Sequence, residues 1–101
     1  MPVRRKFVLT TRPGIMTPMS CVVNVGDEIE FTIDRGKAVV VFEPEVPPAV
    51  LFPRGPSFDS ENPLVGTAET TGHYPFSICY WYEDKGRKQH EALQMVLIID
   101  P

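Results

Sequence analysis

The chain is poor in the residue types from which compact metal sites and disulfide scaffolds are built. It has two cysteines and two histidines in 101 residues. Neither Cys21 nor Cys79 has a Cys or His partner within four residues, which removes the usual zinc signatures with their closely spaced ligand pairs. The two cysteines could pair in an oxidising compartment. With no framework of further cysteines around them, they are read as free structural thiols. Charge of one sign is also lacking. The net charge of −3 advertises no nucleic-acid partner. The longest apolar runs, "AVVV" and "MVLII", are far short of a bilayer span, so no membrane association is expected. The N-terminal "MPVRRKFVLTT" carries charge but no apolar segment or cleavage site. If Met1 is the native start, a cytoplasmic protein is expected. The alternative is an exported protein whose signal peptide has been removed.

What is present fits a soluble domain. Hydrophobic residues make up 43% and charged residues 23% of the chain. A chain of this length forms one domain and buries roughly 60–65% of the surface it exposes when unfolded. Six runs have strand length and composition: "KFVLTT" (6 to 11), "SCVVNV" (20 to 25), "EIEFTI" (28 to 33), "AVVVFE" (38 to 43), "YPFSICYWYE" (74 to 83) and "LQMVLIID" (93 to 100). No stretch reads as an amphipathic helix. Ile29, Phe31 and Ile33 alternate with Glu28, Glu30 and Thr32, which predicts one buried and one wet face. Turn chemistry at "RPG" (12 to 14), "VGDE" (25 to 28), "DRGK" (34 to 37) and "EDKGR" (83 to 87) separates the runs. Residues 44 to 63 hold six of the eleven prolines and cannot form a central strand. They predict one long irregular crossover, with room for a short edge strand or turn at "AVLF". The expected fold is all-β, a sandwich of about seven or eight strands in a single domain spanning 1–101.

The order of these pieces resembles the cupredoxins, the single-domain blue-copper family. "VGDEIEFTI" is similar to the family's Gly-Asp-x-apolar-x-Phe strand, "AVVVFEPEVP" to the strand after the first copper histidine, and "GHYPFSI" to the Gly-x-Tyr-x-Phe strand that leads to the copper cysteine. The resemblance implies a Greek-key β-sandwich with any site at the end where the last two strands join. It also implies copper, and type 1 copper requires a thiolate, two imidazoles and usually a weak axial ligand. In the family pattern the first histidine falls on Ala38, beside Lys37, and the cysteine falls on Ile78, with Cys79 one residue later. A one-residue offset in a strand reverses the face.

The same parity follows from the residues alone. Tyr74, Phe76, Ile78 and Tyr80 form the apolar set. His73, Pro75, Ser77, Cys79, Trp81 and Glu83 form the other, so Cys79 is expected to point away from the core. His90 follows eleven positions after Cys79, a longer gap than the family's ligand loop, and Leu93 or Gln94 falls near the axial place. Met95 opens the alternating run "MVLII" and is read as core; His73 is read as a solvent-facing strand residue. The expectation is therefore no cofactor. The alternative is a divergent mononuclear copper protein for electron transfer, using Cys79, His90 and Met95.

No enzyme is expected. If the segment from Cys79 to His90 is a hairpin turning at Asp84 to Gly86, Cys79 lies across from about residue 91, near enough to consider a nucleophile and base. The remaining machinery is absent, and Asp27 and Glu28 suit turn hydrogen bonding better than acid–base work. The long hairpin instead suggests a binding module. It carries Tyr80, Trp81 and Tyr82 on its two faces and Lys85 and Arg87 near its tip, residue types suited to binding a protein partner or a second copy. The competing reading has the three aromatics packed on the Pro-rich crossover, capping the end of the sandwich. A third fold reading, an immunoglobulin-like sandwich with a Cys21–Cys79 disulfide, fits less well, because Trp81 follows Cys79 instead of lying between the cysteines.

Overall fold

The computed structural model describes residues 3–11, 20–42, 50–52 and 55–101. Among them are nine strands: β1 (Arg4–Leu9), β2 (Ser20–Asn24), β3 (Glu28–Ile33), β4 (Lys37–Phe42), β5 (Val50–Leu51), β6 (Ser57–Asp59), β7 (Leu64–Ala68), β8 (Gly72–Asp84) and β9 (Arg87–Asp100). They form a four-stranded sheet in the order β1-β3-β7-β5 and a five-stranded sheet in the order β2-β9-β8-β4-β6. β1 pairs with β3, and β2 with β9, in parallel; the other pairs are antiparallel.

Alternation in each strand builds the core. Ile29, Phe31 and Ile33 of the first sheet meet Val40, Phe76, Ile78, Leu97 and Ile99 of the second, all buried. Phe31 and Phe76 contact edge to face, with ring centroids 5.9 Å apart, and join the two sheets at the centre. Full burial of each large aliphatic side chain contributes roughly 1.5–3 kcal/mol. Asp27 is also buried, and its carboxylate ties down the turn from β2 to β3. It accepts hydrogen bonds from the backbone N–H groups of Asn24 at 2.9 Å and Val3 at 3.1 Å.

One expectation needs correction, and one strand was not marked by the sequence. Glu30 does not face water: it is buried, because Arg4 and Lys6 of the neighbouring β1 lie over it, with N–O distances of 3.4 and 3.3 Å. β7 lies between β3 and β5 in the first sheet, although "LVGTA" carries little strand signal. Of the Pro-rich segment, Val50–Leu51 and Ser57–Asp59 form edge strands of the two sheets, while residues 43–49 and 53–54 lie outside the described residues. The turn expected at "RPG" also lies outside them.

Candidate functional site

β8 and β9 form one long hairpin, paired from Gly72 and Ile99 to Asp84 and Arg87. Its turn is Lys85-Gly86, with φ of 52° and 77°. Two consecutive positive φ values give the tight turn whose twist suits a two-residue hairpin. β4 accompanies β8 as far as Trp81, and β2 accompanies β9 only over Val96–Asp100. Among the described residues the hairpin past Trp81 is therefore a two-stranded ribbon at the end of the sandwich.

The core-side face of this ribbon is filled by a polar and aromatic cluster. Tyr80 is buried, and its hydroxyl donates to Glu91 Oε2 at 2.9 Å; the Tyr82 hydroxyl reaches the same oxygen at 3.3 Å. The two rings stack with centroids 6.0 Å apart. Burial first, and the Glu91 carboxylate second, push the Tyr80 phenol up to about 12, and the same causes raise Tyr82. The Arg35 guanidinium lies 4.7 Å from the centre of the Tyr82 ring. It donates to Thr11 Oγ1 at 2.7 Å and to the Glu83 carbonyl at 3.1 Å.

On the outward face, Trp81 and His90 are cross-strand partners with rings 5.1 Å apart and 3° from parallel. Lys37 and Asp59 continue that row across β4 and β6. A groove of about 950 Å³ runs along it, walled by Ser57 and Asn62 on one side and by Glu83 and Lys88 on the other. Gly36 makes this approach possible. A Cβ there would lie 2.0 Å from the Trp81 carbonyl oxygen, and the residue's φ of +82° is one that L side chains rarely adopt.

The residues weighed for copper separate between the faces. Ala38 and Ile78 are buried on the core side, Ala38 opposite Tyr80 and Ile78 opposite Val40. Cys79 is half-buried on the outward face opposite Ala92, one residue from the expected register. His90 shares that face. Gln94 lies on it too, opposite Ser77, whereas Leu93 is half-buried opposite the core residue Ile78. Met95 is buried opposite Phe76 on the other side of the sheet. The structure thus brings Cys79 and His90 to one face and turns Met95 away from both, because odd and even residues of a strand point oppositely. Among the described residues no group of three or more His, Cys, Asp or Glu is placed to hold a metal. Cys21 lies on the core side of β2, fully buried, and burial pushes its thiol up to about 12. Cys21 and Cys79 face opposite sides of one sheet with β9 between them, so the disulfide of the immunoglobulin-like reading does not form.

Of the binding residues expected in the hairpin, Trp81, Lys85 and Arg87 are exposed and Tyr82 is half-buried. Tyr80 is turned inward, so it supports the ribbon and is not part of its accessible surface. Arg35 and Glu91 were not singled out from sequence. The turn at Lys85-Gly86 places Glu91 opposite Tyr80 by register alone, but nothing local joins Arg35 to Tyr82.

Solved structures of amicyanin align with the chain over nearly its whole length. An oxidised methionine-to-leucine variant of amicyanin superposes with a TM-score of 0.58 at 17% identity, covering 93% of this chain and 81% of that one. A Cu(I) methionine-to-glutamine variant gives 0.58 at 16%, covering 94% and 82%. The fold is that of the cupredoxins. No family model matches the chain, and no curated protein matches it. The two-sheet order is that of a cupredoxin sandwich. At 16–17% identity the likeness concerns the fold alone.

Proposed function

We propose that this cupredoxin-like domain is a metal-free, non-enzymatic module that binds protein through the outward side of its β8–β9 hairpin. The observation that supports the reading best is the filling of the places where the resemblance puts the first two ligands. Ala38 and Ile78 offer no donor atom, both are buried, and Tyr80 packs opposite Ala38 with its hydroxyl held by Glu91. The residues present do not fit a trigonal thiolate–imidazole centre. The end of the domain then offers Trp81, with Lys85 and Arg87 at the tip, beside a groove of about 950 Å³. An exposed tryptophan held in place by a stacked neighbour suits a binding anchor, since large area is buried at little entropic cost.

Trp81→Ala tests this. Loss of binding or assembly with a melting temperature within a few degrees of wild type is expected. A large stability loss with unchanged association would overturn the surface reading in favour of a capping role.

A second reading has one observation in its favour: Cys79 and His90 share the outward face. It makes the chain a divergent copper-binding electron-transfer protein. Titration with Cu(II) separates the two readings. An intense thiolate-to-copper charge-transfer band supports the copper protein; its absence, with Cys79 still reactive towards a maleimide, supports the metal-free module.

A further inference from the structure

The groove beside the Trp81–His90 stack holds side chains that the hairpin reading leaves unused. Asp59, Lys37 and Trp81 are successive partners across β6, β4 and β8, so Asp59 and Trp81 stand about 9.6 Å apart on the sheet with Lys37 between them. His90 covers one face of the indole, 3° from parallel, and Trp81 still keeps 39% exposure. It is a platform with one free face. Across the groove, the Asp59 carboxylate is fixed in place. Its Oδ1 accepts from the N–H groups of Glu61 and Asn62, each at 2.8 Å, and the Asn62 amide nitrogen lies 3.0 and 3.2 Å from its two oxygens. Oδ2 therefore has acceptor capacity to spare, and the side-chain carbonyl of Asn62 adds a second acceptor. Lys37 supplies N–H donors and makes no ion pair among the described residues. The lining charges cancel, with Lys37 and Lys88 set against Asp59 and Glu83.

We propose that this groove binds a neutral saccharide, one pyranose ring of which stacks on the free face of Trp81 while its hydroxyls bridge to Asp59, Asn62 and Lys37. Three features select that class. Balanced charge gives no net attraction to a phosphate, a nucleic acid or an organic cation. The negative face of an indole attracts the weakly positive C–H groups that a pyranose presents on its flat side. A hydroxyl both donates and accepts, so neighbouring hydroxyls of one ring can serve a carboxylate, an amide carbonyl and an ammonium in turn. A planar aromatic ligand, by contrast, gains most from a sandwich between two aromatic faces, and His90 already occupies one face of Trp81. The same contact holds the indole before the ligand arrives, so little side-chain freedom is lost on binding. A volume of about 950 Å³ holds more than one ring, which favours an oligosaccharide over a monosaccharide. The inference goes beyond the protein-binding reading and gives the wall built by β4 and β6 a ligand of its own.

Amide proton–nitrogen NMR of the full chain tests it, with cellohexaose, xylohexaose, maltohexaose and chitohexaose each titrated to about 5 mM, above the Kd of a weak specific contact. At least one should give saturable shifts clustered on Lys37, Asp59, Asn62 and Trp81, with a matching change in the emission of Trp81, the single tryptophan. Trp81→Ala should weaken that binding at least tenfold. Lys37→Met keeps the aliphatic stem and Asp59→Asn keeps an acceptor for the backbone N–H groups; each should weaken binding at least threefold. Circular dichroism establishes that each variant is folded. No saturable shift with any of the four saccharides overturns the proposal. So do shifts that cluster away from the groove, an affinity unchanged in Trp81→Ala or in both Lys37→Met and Asp59→Asn, or binding confined to an anionic chain such as a heparin hexasaccharide. Trp81→Ala also bears on the hairpin as a protein-binding surface, whereas Lys37→Met and Asp59→Asn bear on the groove alone, so the two readings fail independently.

Discussion

Replacing Gly36 by alanine should damage the domain far more than an ordinary glycine substitution in a turn. Gly36 has a φ of +82°, and a Cβ built on it lies 2.0 Å from the Trp81 carbonyl oxygen and 3.0 Å from the Tyr82 Cα. Those neighbours are backbone of a paired strand and cannot swing away. Gly26 is the reference, since its φ of +89° is similar and a Cβ there meets nothing within 4 Å. Gly26→Ala therefore carries only the left-handed penalty of about 1–2 kcal/mol, reduced by the smaller entropy of the unfolded chain. Gly36→Ala adds an overpacking cost of about 1–3 kcal/mol, at the upper end because β8 itself must shift by about 1 Å. The expected losses are about 1 kcal/mol for Gly26→Ala and about 3–5 kcal/mol for Gly36→Ala, against a total stability of about 5–15 kcal/mol. Urea unfolding followed by fluorescence measures both, and Trp81, the single tryptophan, reports directly on the strand that moves. Equal midpoints for the two variants, with an unchanged Trp81 spectrum, would refute the close approach of Gly36 to β8.

Asp27 makes a prediction about acid. Backbone donors from Asn24 and Val3 hold its carboxylate below the usual range. Its stabilising contribution is therefore complete above the unfolded value near 3.9 and is lost as pH falls through the folded value. Asp27→Asn should lower stability at pH 7 and flatten the acid limb of the stability curve below about pH 4, measured by urea titration across pH. Glu91→Gln should lower the Tyr80 phenol from about 12 towards its ordinary value, read by ultraviolet titration of phenolate absorption. In wild type the raised phenol keeps its stabilising share below pH 10 and loses it as pH climbs from about 10 to about 12. Ile78→Ala should cost about 2–4 kcal/mol as a fully buried truncation, whereas Cys79→Ala on the outward face should cost under about 1 kcal/mol; comparable losses would contradict the parity of β8.

Strand identity was largely legible in the chain because it rests on local alternation. "EIEFTI" is β3 residue for residue, and the apolar set Tyr74, Phe76, Ile78 and Tyr80 is the buried face of β8. Met95 was likewise readable as core from its run. β7 was not, because "LVGTA" is short and offers a glycine and an alanine where bulky residues would mark a strand; its place comes from β3 and β5 on either side. Glu30 was misread as wet because the cations that cover it belong to β1, far along the chain. The cluster at the hairpin base divides in the same way. Tyr80 opposite Glu91 follows only once the turn is fixed at Lys85-Gly86, one residue from the expected register, while Arg35 over Tyr82 depends on how β3 hands over to β4.

The sequence by itself determined the strand class, the side to which each residue of β8 turns, and the lack of donor atoms at positions 38 and 78, since these depend on composition and a two-residue period. Only the tertiary structure decided that Cys79 and His90 share a face, that Trp81 stacks on His90, and that Val22, Val41 and Val96, from three different strands, are exposed on the same sheet. Alternation says which way a side chain points from its own strand. Which side chains stand beside it is set by sheet order and register, through pairings between residues far apart in the chain.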